Sequence, residues 1–143
     1  MCIRDRAGGE VIGVETKFFV ENEFQHDGLT KLIVTEDMTE RKNKMIELGE
    51  AFIAFPGGTG TLEEISEVMS KVSLKQMNSP CIIYNLNGYY NDLKAFLNHM
   101  IEKGLSSNKR QEGIYFAENL NLSLIHISEP TRRLRGSRMP SSA

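Results

Sequence analysis

The stretch "AFIAFPGGTGTLEEISE", residues 51–67, concentrates the residue types that could do chemistry. A run of apolar and small residues meets a proline and three glycines, then turns helical and presents Glu63 and Glu64. Gly57, Gly58 and Gly60 let the backbone turn sharply and let a ligand approach it closely. The first amides of the helix, at Gly60–Glu63, have no partner within the helix and attract anions. The spacing is neither G-x-G-x-x-G nor a P-loop, because no Gly-Lys-Ser/Thr follows. A ligand loop and a plain turn both fit. Glu64 fits a capping box with Thr61, and Glu63 fits an acid favoured by the helix dipole. Yet a helix start built only to hold phosphate rarely needs two carboxylates, so an electron-poor group is expected here as well.

Arg41 is the second candidate. Met38, Arg41, Met45 and Leu48 recur at helical spacing and define one face, the apolar one. An arginine on such a face either snorkels to the surface or turns inward to meet an anion.

Short apolar runs and helical patterns alternate around these residues. Strands are expected at 10–14, 31–36, 51–55, 80–86 and 113–118, mostly without polar alternation, as in parallel strands buried on both faces. Helices are expected at 37–48, 60–74 and 89–104. This order predicts an α/β fold, a Rossmann-like open parallel sheet with right-handed crossovers and helices on both faces. The stretch 15–30 is open between a short helix and a loop. The chain starts almost directly on a strand, so the first βα units of a doubly wound fold are expected to be missing.

Both ends have an unusual relation to each other. Met1–Arg6 can be encoded by ATG TGT ATA AGA GAC AGR, and the reverse complement of the first seventeen of these bases, CTGTCTCTTATACACAT, reads from its first base as Leu-Ser-Leu-Ile-His-Ile, the sequence from Leu122 to Ile127. This is similar to a transposon-type sequencing adapter translated in opposite directions. Residues 1–6 and 122–143 are therefore set apart as adapter-derived and expected to lack tertiary contacts, leaving 7–121 as one partial domain.

The whole chain has 17 Lys+Arg against 19 Asp+Glu, a net charge of −2. Six of the arginines but only Asp5 and Glu129 lie in the ends, so the remainder carries about −6. Such an acidic body lacks the electrostatic footprint of a nucleic-acid binder. Cys81 is the one cysteine left, and His26 and His99 are isolated, which argues against disulfides and metal sites. No apolar stretch reaches membrane-spanning length, and a cytoplasmic protein with no membrane partner is expected.

"TERKNKMIELGEAFIAFPGGTGTLEEISEV" resembles the paired signature R-K-x-x-M and P-G-G-x-G-T-x-x-E of the LOG (Lonely Guy) family, long labelled "possible lysine decarboxylase". Its characterised members are cytokinin riboside 5′-monophosphate phosphoribohydrolases, Rossmann-like and usually dimeric or larger. The similarity runs from about Gly8 to Asn121. It implies catalytic roles for Arg41 and Glu64, and nucleotide binding by Lys42, Gly57, Gly58, Thr59, Gly60, Thr61, Leu62 and Glu63. Glu23 matches a further substrate-binding position, although Glu15 and Thr16 depart from the pattern before it. Ser70 lies where a substrate-contacting threonine is usual. No cofactor is implied, and a homodimer is.

On this resemblance the expected reaction is hydrolysis of an N-glycosidic bond of a nucleoside 5′-monophosphate, such as AMP or a cytokinin riboside 5′-monophosphate. A carboxylate would stabilise the oxocarbenium-like sugar or activate water, while helix-start amides and hydroxyls hold the phosphate. Arg41 and Glu64 follow successive strands and are expected to converge above the Gly57–Thr61 turn. A non-catalytic nucleotide-binding protein on the same fold, or an inactive fragment, is the alternative. Pyridoxal-dependent decarboxylation is set aside, because no lysine is marked as a Schiff-base former.

Overall fold

The computed structural model describes residues 8–22 and 28–127. By its internal contacts the chain divides into two units, Met1–Gly49 and Glu50–Ala143, and each is described by itself.

The first unit contains β1 (Ile12–Thr16), α1 (Lys17–Glu21), β2 (Lys31–Thr35) and α2 (Met38–Leu48). β1 and β2 pair in parallel, with Ile12 opposite Lys31 and Thr16 opposite Thr35. β1 thus runs two residues later than its apolar run suggested. The reason lies in the polar end of the ladder. Thr16 and Thr35 are both buried, and the Thr35 hydroxyl donates to the Glu15 carbonyl at 3.2 Å. Hydroxyls satisfied in this way continue a strand that an apolar count would stop. Within the ambiguous segment Lys17–Glu21 form the short helix α1, and residues 23–27 lie outside the described residues. Asp37 caps α2, its carboxylate accepting from the Glu40 amide at 2.8 Å, and the Glu40 carboxylate accepts from the Glu36 amide at 2.8 Å.

The second unit runs β3 (Phe52–Ala54), α3 (Thr59–Ser73), β4 (Cys81–Tyr84), a 3₁₀ turn (Leu86–Gly88), α4 (Asn91–Glu102), α5 (Asn108–Gln111) and β5 (Ile114–Ala117). The three strands are parallel, and β4 lies in the middle. Cys81, Ile82 and Ile83 have no exposed surface, which accounts for the unbroken apolar run of a strand covered on both faces. α3 buries Ile65, Val68, Met69 and Val72, one face at helical spacing, each worth on the order of 1.5–3 kcal/mol. Gly113 ends the connection into β5 at φ +99°, and a Cβ there would lie 2.9 Å from Val72 Cγ1. Both conditions call for glycine.

The α/β, Rossmann-like class expected from the alternation of elements is what these parallel strands and helices form. Among the described residues the strands pair in two sheets, of two and three strands. A difference from expectation lies after β5. A helix, α6, covers residues 120–127, with the Asn119 side chain accepting from the Leu122 amide at 2.9 Å. Ser123 is fully buried, and His126 stacks on Tyr115 with ring centroids 4.3 Å apart. Residues 122–127 therefore do make tertiary contacts, contrary to expectation. The cap at Asn119 starts a helix, and its small Ser123 fits against the unit whatever the origin of the segment. Leu124 and Ile125 stay exposed, and residues 1–6 and Leu134 lie outside the described residues. Among the described residues no helix is long and apolar enough to cross a membrane.

Candidate active site

α3 begins at Thr59, with Gly58 as its N-cap and no side-chain cap hydrogen bond there. Thr61 is consequently the third residue of the helix rather than its cap, and the capping box proposed for Thr61 and Glu64 does not exist. Nor does an acidic residue lie in the first turn, so dipole compensation does not account for Glu63. A capping carboxylate must sit near the third helical position to reach back, and Glu64 is at the sixth. The two glutamates stand clear of the helix-start positions. Glu63 is exposed and Glu64 half-buried.

The glycines divide by cause. A Cβ on Gly57 would overlap the Thr61 hydroxyl and lie 2.9 Å from Thr61 Cβ, so its own chain forbids a side chain there. Gly58 and Gly60 are exposed, neither has positive φ, and a Cβ on either would meet nothing within 4 Å. The fold does not require glycine at 58 or 60. What their missing side chains provide is open approach to the backbone beside a helix N-terminus. Thr59 and Leu62 are exposed and Thr61 is half-buried. These residues, all of the motif, lie on one turn.

Ser70 is not brought to that turn. Six residues beyond Glu64, it is displaced by about 9 Å along the axis and faces the side of Glu63 and Ser66. It is exposed. Glu23 lies outside the described residues.

In the first unit Arg41 is turned inward, with 15% of its side chain exposed. Its Nε donates to the Val14 carbonyl at 2.8 Å and lies 3.5 Å from a Glu15 carboxylate oxygen. Snorkelling is thereby excluded. The rest of that face is only partly covered, Met38 and Leu48 being exposed, and no residue of α2 is fully buried. Lys42 follows half-buried, about 100° around the helix.

Three residues escaped the sequence reading. Glu15 was noticed only as a departure from the family pattern, yet it faces Arg41. Tyr89 and Tyr90 belong to the loop after β4, and their hydroxyls donate to the carbonyls of Gly57 (2.8 Å) and Phe55 (2.7 Å). The available signal was two successive tyrosines just past a strand end, where ligand loops of parallel sheets gather. Burial pushes the Tyr90 phenol above its usual value and Tyr89 adds to this, while the Gly57 backbone pulls the other way. Burial also pushes the Cys81 thiol up to about 12, so it is no nucleophile near neutrality. Among the described residues no three His, Cys, Asp or Glu side chains gather to hold a metal.

Residues 3–126 match the family described as "Possible lysine decarboxylase". A cytokinin riboside 5′-monophosphate phosphoribohydrolase of Rhodococcoides fascians is 38% identical over 125 residues, covering 87% of this chain and 63% of that protein. One from Arabidopsis thaliana is 39% identical over 105 residues, 73% of this chain and 49% of its own length. One from Mycobacterium marinum is 32% identical over 117 residues, 82% and 63% respectively. The chain thus spans between about half and two-thirds of the length of these curated relatives. With that match over most of its own length, and the glycine turn and Arg41 in place, the chain belongs to the "possible lysine decarboxylase", or LOG, family.

Proposed function

We propose that the protein is a nucleoside 5′-monophosphate phosphoribohydrolase, cleaving AMP or a cytokinin riboside 5′-monophosphate to free base and ribose 5-phosphate. The observation that carries this reading is the start of α3, where an N-terminus without a side-chain cap is flanked by two glycines that the fold itself does not need. The names of the relatives support the reaction, and the open glycine turn at a helix start supports phosphate binding there.

In this mechanism the amides and threonine hydroxyls at the start of α3 hold the 5′-phosphate and fix the ribose. As the bond between C1′ and the base nitrogen breaks, positive charge develops on the sugar. The Glu64 carboxylate stabilises that charge or removes a proton from the water that adds to C1′. The base departs with a proton and the sugar keeps the water oxygen. Arg41 orients the substrate, and Lys42, Glu63, Glu23 and Ser70 contribute to binding. Residues 7–121 carry the function, within a homodimer working in the cytoplasm.

The test is direct. The protein is incubated with AMP and with a prenylated adenosine monophosphate, and free base and ribose 5-phosphate are quantified together. Equimolar release of both supports the reading. AMP that binds but is recovered intact at stoichiometric protein would make the chain a nucleotide-binding protein instead.

A further inference from the structure

A glycine turn that is open to a ligand has a cost. Glycine leaves the backbone more freedom than any other residue, and nothing lies within 4 Å of the Cβ positions of Gly58 and Gly60. Something outside the turn must hold it in one conformation, and the loop after β4 supplies two phenols. Tyr89 donates to the Gly57 carbonyl at 2.8 Å and Tyr90 to the Phe55 carbonyl at 2.7 Å, so the two bonds straddle Pro56. The rings brace each other edge to face, with centroids 4.9 Å apart and planes at 89°. Tyr90 is itself anchored. Its amide donates to the Asn85 side chain at 2.6 Å, Asn85 donates to the Asn91 side chain at 2.8 Å, and the Asn85 amide donates to the Ala117 carbonyl at 2.8 Å. The turn after β3 is therefore tied through Tyr90 and Asn85 to the end of β5.

We propose that Tyr89 and Tyr90 are positioning residues that clamp the Phe55–Gly58 turn, with Tyr89 aiming the Gly58 amide at a phosphate monoester. The reason is peptide geometry. The Gly57 carbonyl and the Gly58 N–H belong to one planar peptide bond, none of the described bonds is cis, and in a trans peptide the two groups point in opposite directions. A phenol that holds the carbonyl on one side commits the N–H to the other, at an exposed residue with open space beside it. Tyr90 cannot act in this way, because the peptide after Phe55 ends at Pro56, which has no N–H. Its bond anchors the turn. This inference rests on the glycine turn being the phosphate end of the site proposed above.

The experiment uses ¹⁵N relaxation on the full chain and on Tyr89→Phe and Tyr90→Phe, followed by titration with AMP, ribose 5-phosphate and inorganic phosphate. Tyr89 is 57% exposed, so Tyr89→Phe should leave the melting temperature nearly unchanged. The order parameter of Gly58 should fall from about 0.85 to below about 0.6 while Ile82 and Ile83 stay rigid. Affinity for AMP and ribose 5-phosphate should weaken together, by about tenfold, the equivalent of one hydrogen bond. Tyr90→Phe should loosen the same residues and also lower the melting temperature, because Tyr90 is buried. An unchanged order parameter at Gly58 in Tyr89→Phe overturns the clamp, as does a loosened turn that binds AMP as tightly as before. If the wild-type chain takes up none of the three ligands, the proposed function fails, and the clamp is decided by relaxation alone.

Discussion

The strand-to-helix junctions before α2 and before α3 solve the same problem in opposite ways. Each must deal with helix-start amides that have no partner inside the helix. Before α2 the chain closes the end with its own carboxylates, Asp37 accepting from the Glu40 amide and Glu40 from the Glu36 amide. Before α3 the cap position is Gly58, with no side-chain cap hydrogen bond, and the carboxylates come later, at Glu63 and Glu64. A helix N-terminus attracts anions in either case. The difference is whether the chain has already supplied the anion. The second junction has no side-chain cap at its first position, and its glutamates come at the fifth and sixth helical positions rather than in the first turn.

The sharpest break of this comparison exchanges the two glutamates for their amides. Glu40→Gln keeps a capping side chain and should leave both turnover and stability within about 0.5 kcal/mol of the parent. Glu64→Gln has no cap to preserve. It should lower release of base from AMP by about 10²–10⁴-fold, the usual worth of a positioned acid or base, with the melting temperature unchanged. Product release is read by chromatography and the fold by thermal melting. A Glu64→Gln protein that melts early and turns over normally when folded would return Glu64 to a structural role.

Moving the cap from one junction to the other has the next largest effect. Gly58→Asp places a carboxylate where α2 has one, and a Cβ at Gly58 meets nothing. It should satisfy the helix-start amides internally, hold or raise the melting temperature, and weaken AMP binding at least about tenfold by occupying and repelling the phosphate. The converse change, Asp37→Ala, should cost about 1 kcal/mol of stability and leave AMP affinity alone. Calorimetric titration and thermal melting separate the two. Gly58→Asp that binds AMP like the parent would show that the phosphate does not sit at this helix.

The contrast between the junctions also marks how far the sequence could be read. The order of strands and helices was legible because β4 is an unbroken apolar run and α3 buries Ile65, Val68, Met69 and Val72 at regular spacing. Arg41 and Glu64 were legible through a motif. The cap was misassigned because Thr61-x-x-Glu64 has the right composition three residues too late, and only backbone geometry distinguishes a cap from an interior threonine. The partners of Gly57 and of Arg41 were hidden for another reason. Tyr89 and Gly57 are 32 residues apart, and Glu15 reaches Arg41 through the end of β1. Such contacts depend on tertiary structure and leave no periodicity in the chain. α6 was hidden because Leu120, Leu122 and Leu124 alternate with polar residues at a spacing of two, which is not a helical pattern, and its Asn119 cap is a local hydrogen bond.

The smallest expected effect tests why the turn is rich in glycine. Gly57 and Gly60 flank the start of α3 and look equivalent in the sequence, but only Gly57 has a neighbour in its way. Gly57→Ala drives a methyl into Thr61 and should cost about 1–3 kcal/mol. Gly60 lies inside the first turn of α3 with open space around its Cβ. There alanine is the better helix former, so Gly60→Ala should stabilise the protein by up to about 1 kcal/mol, a rise of a few degrees in melting temperature. Close approach of a ligand is a role that such a glycine, with no steric need of its own, would serve. Gly60→Ala should therefore bind AMP less tightly than the parent while melting later. If it melts later and binds AMP equally well, the methyl has no ligand to displace. The glycines before Glu64 would then form a plain turn, and the difference between the two junctions would lose its functional meaning.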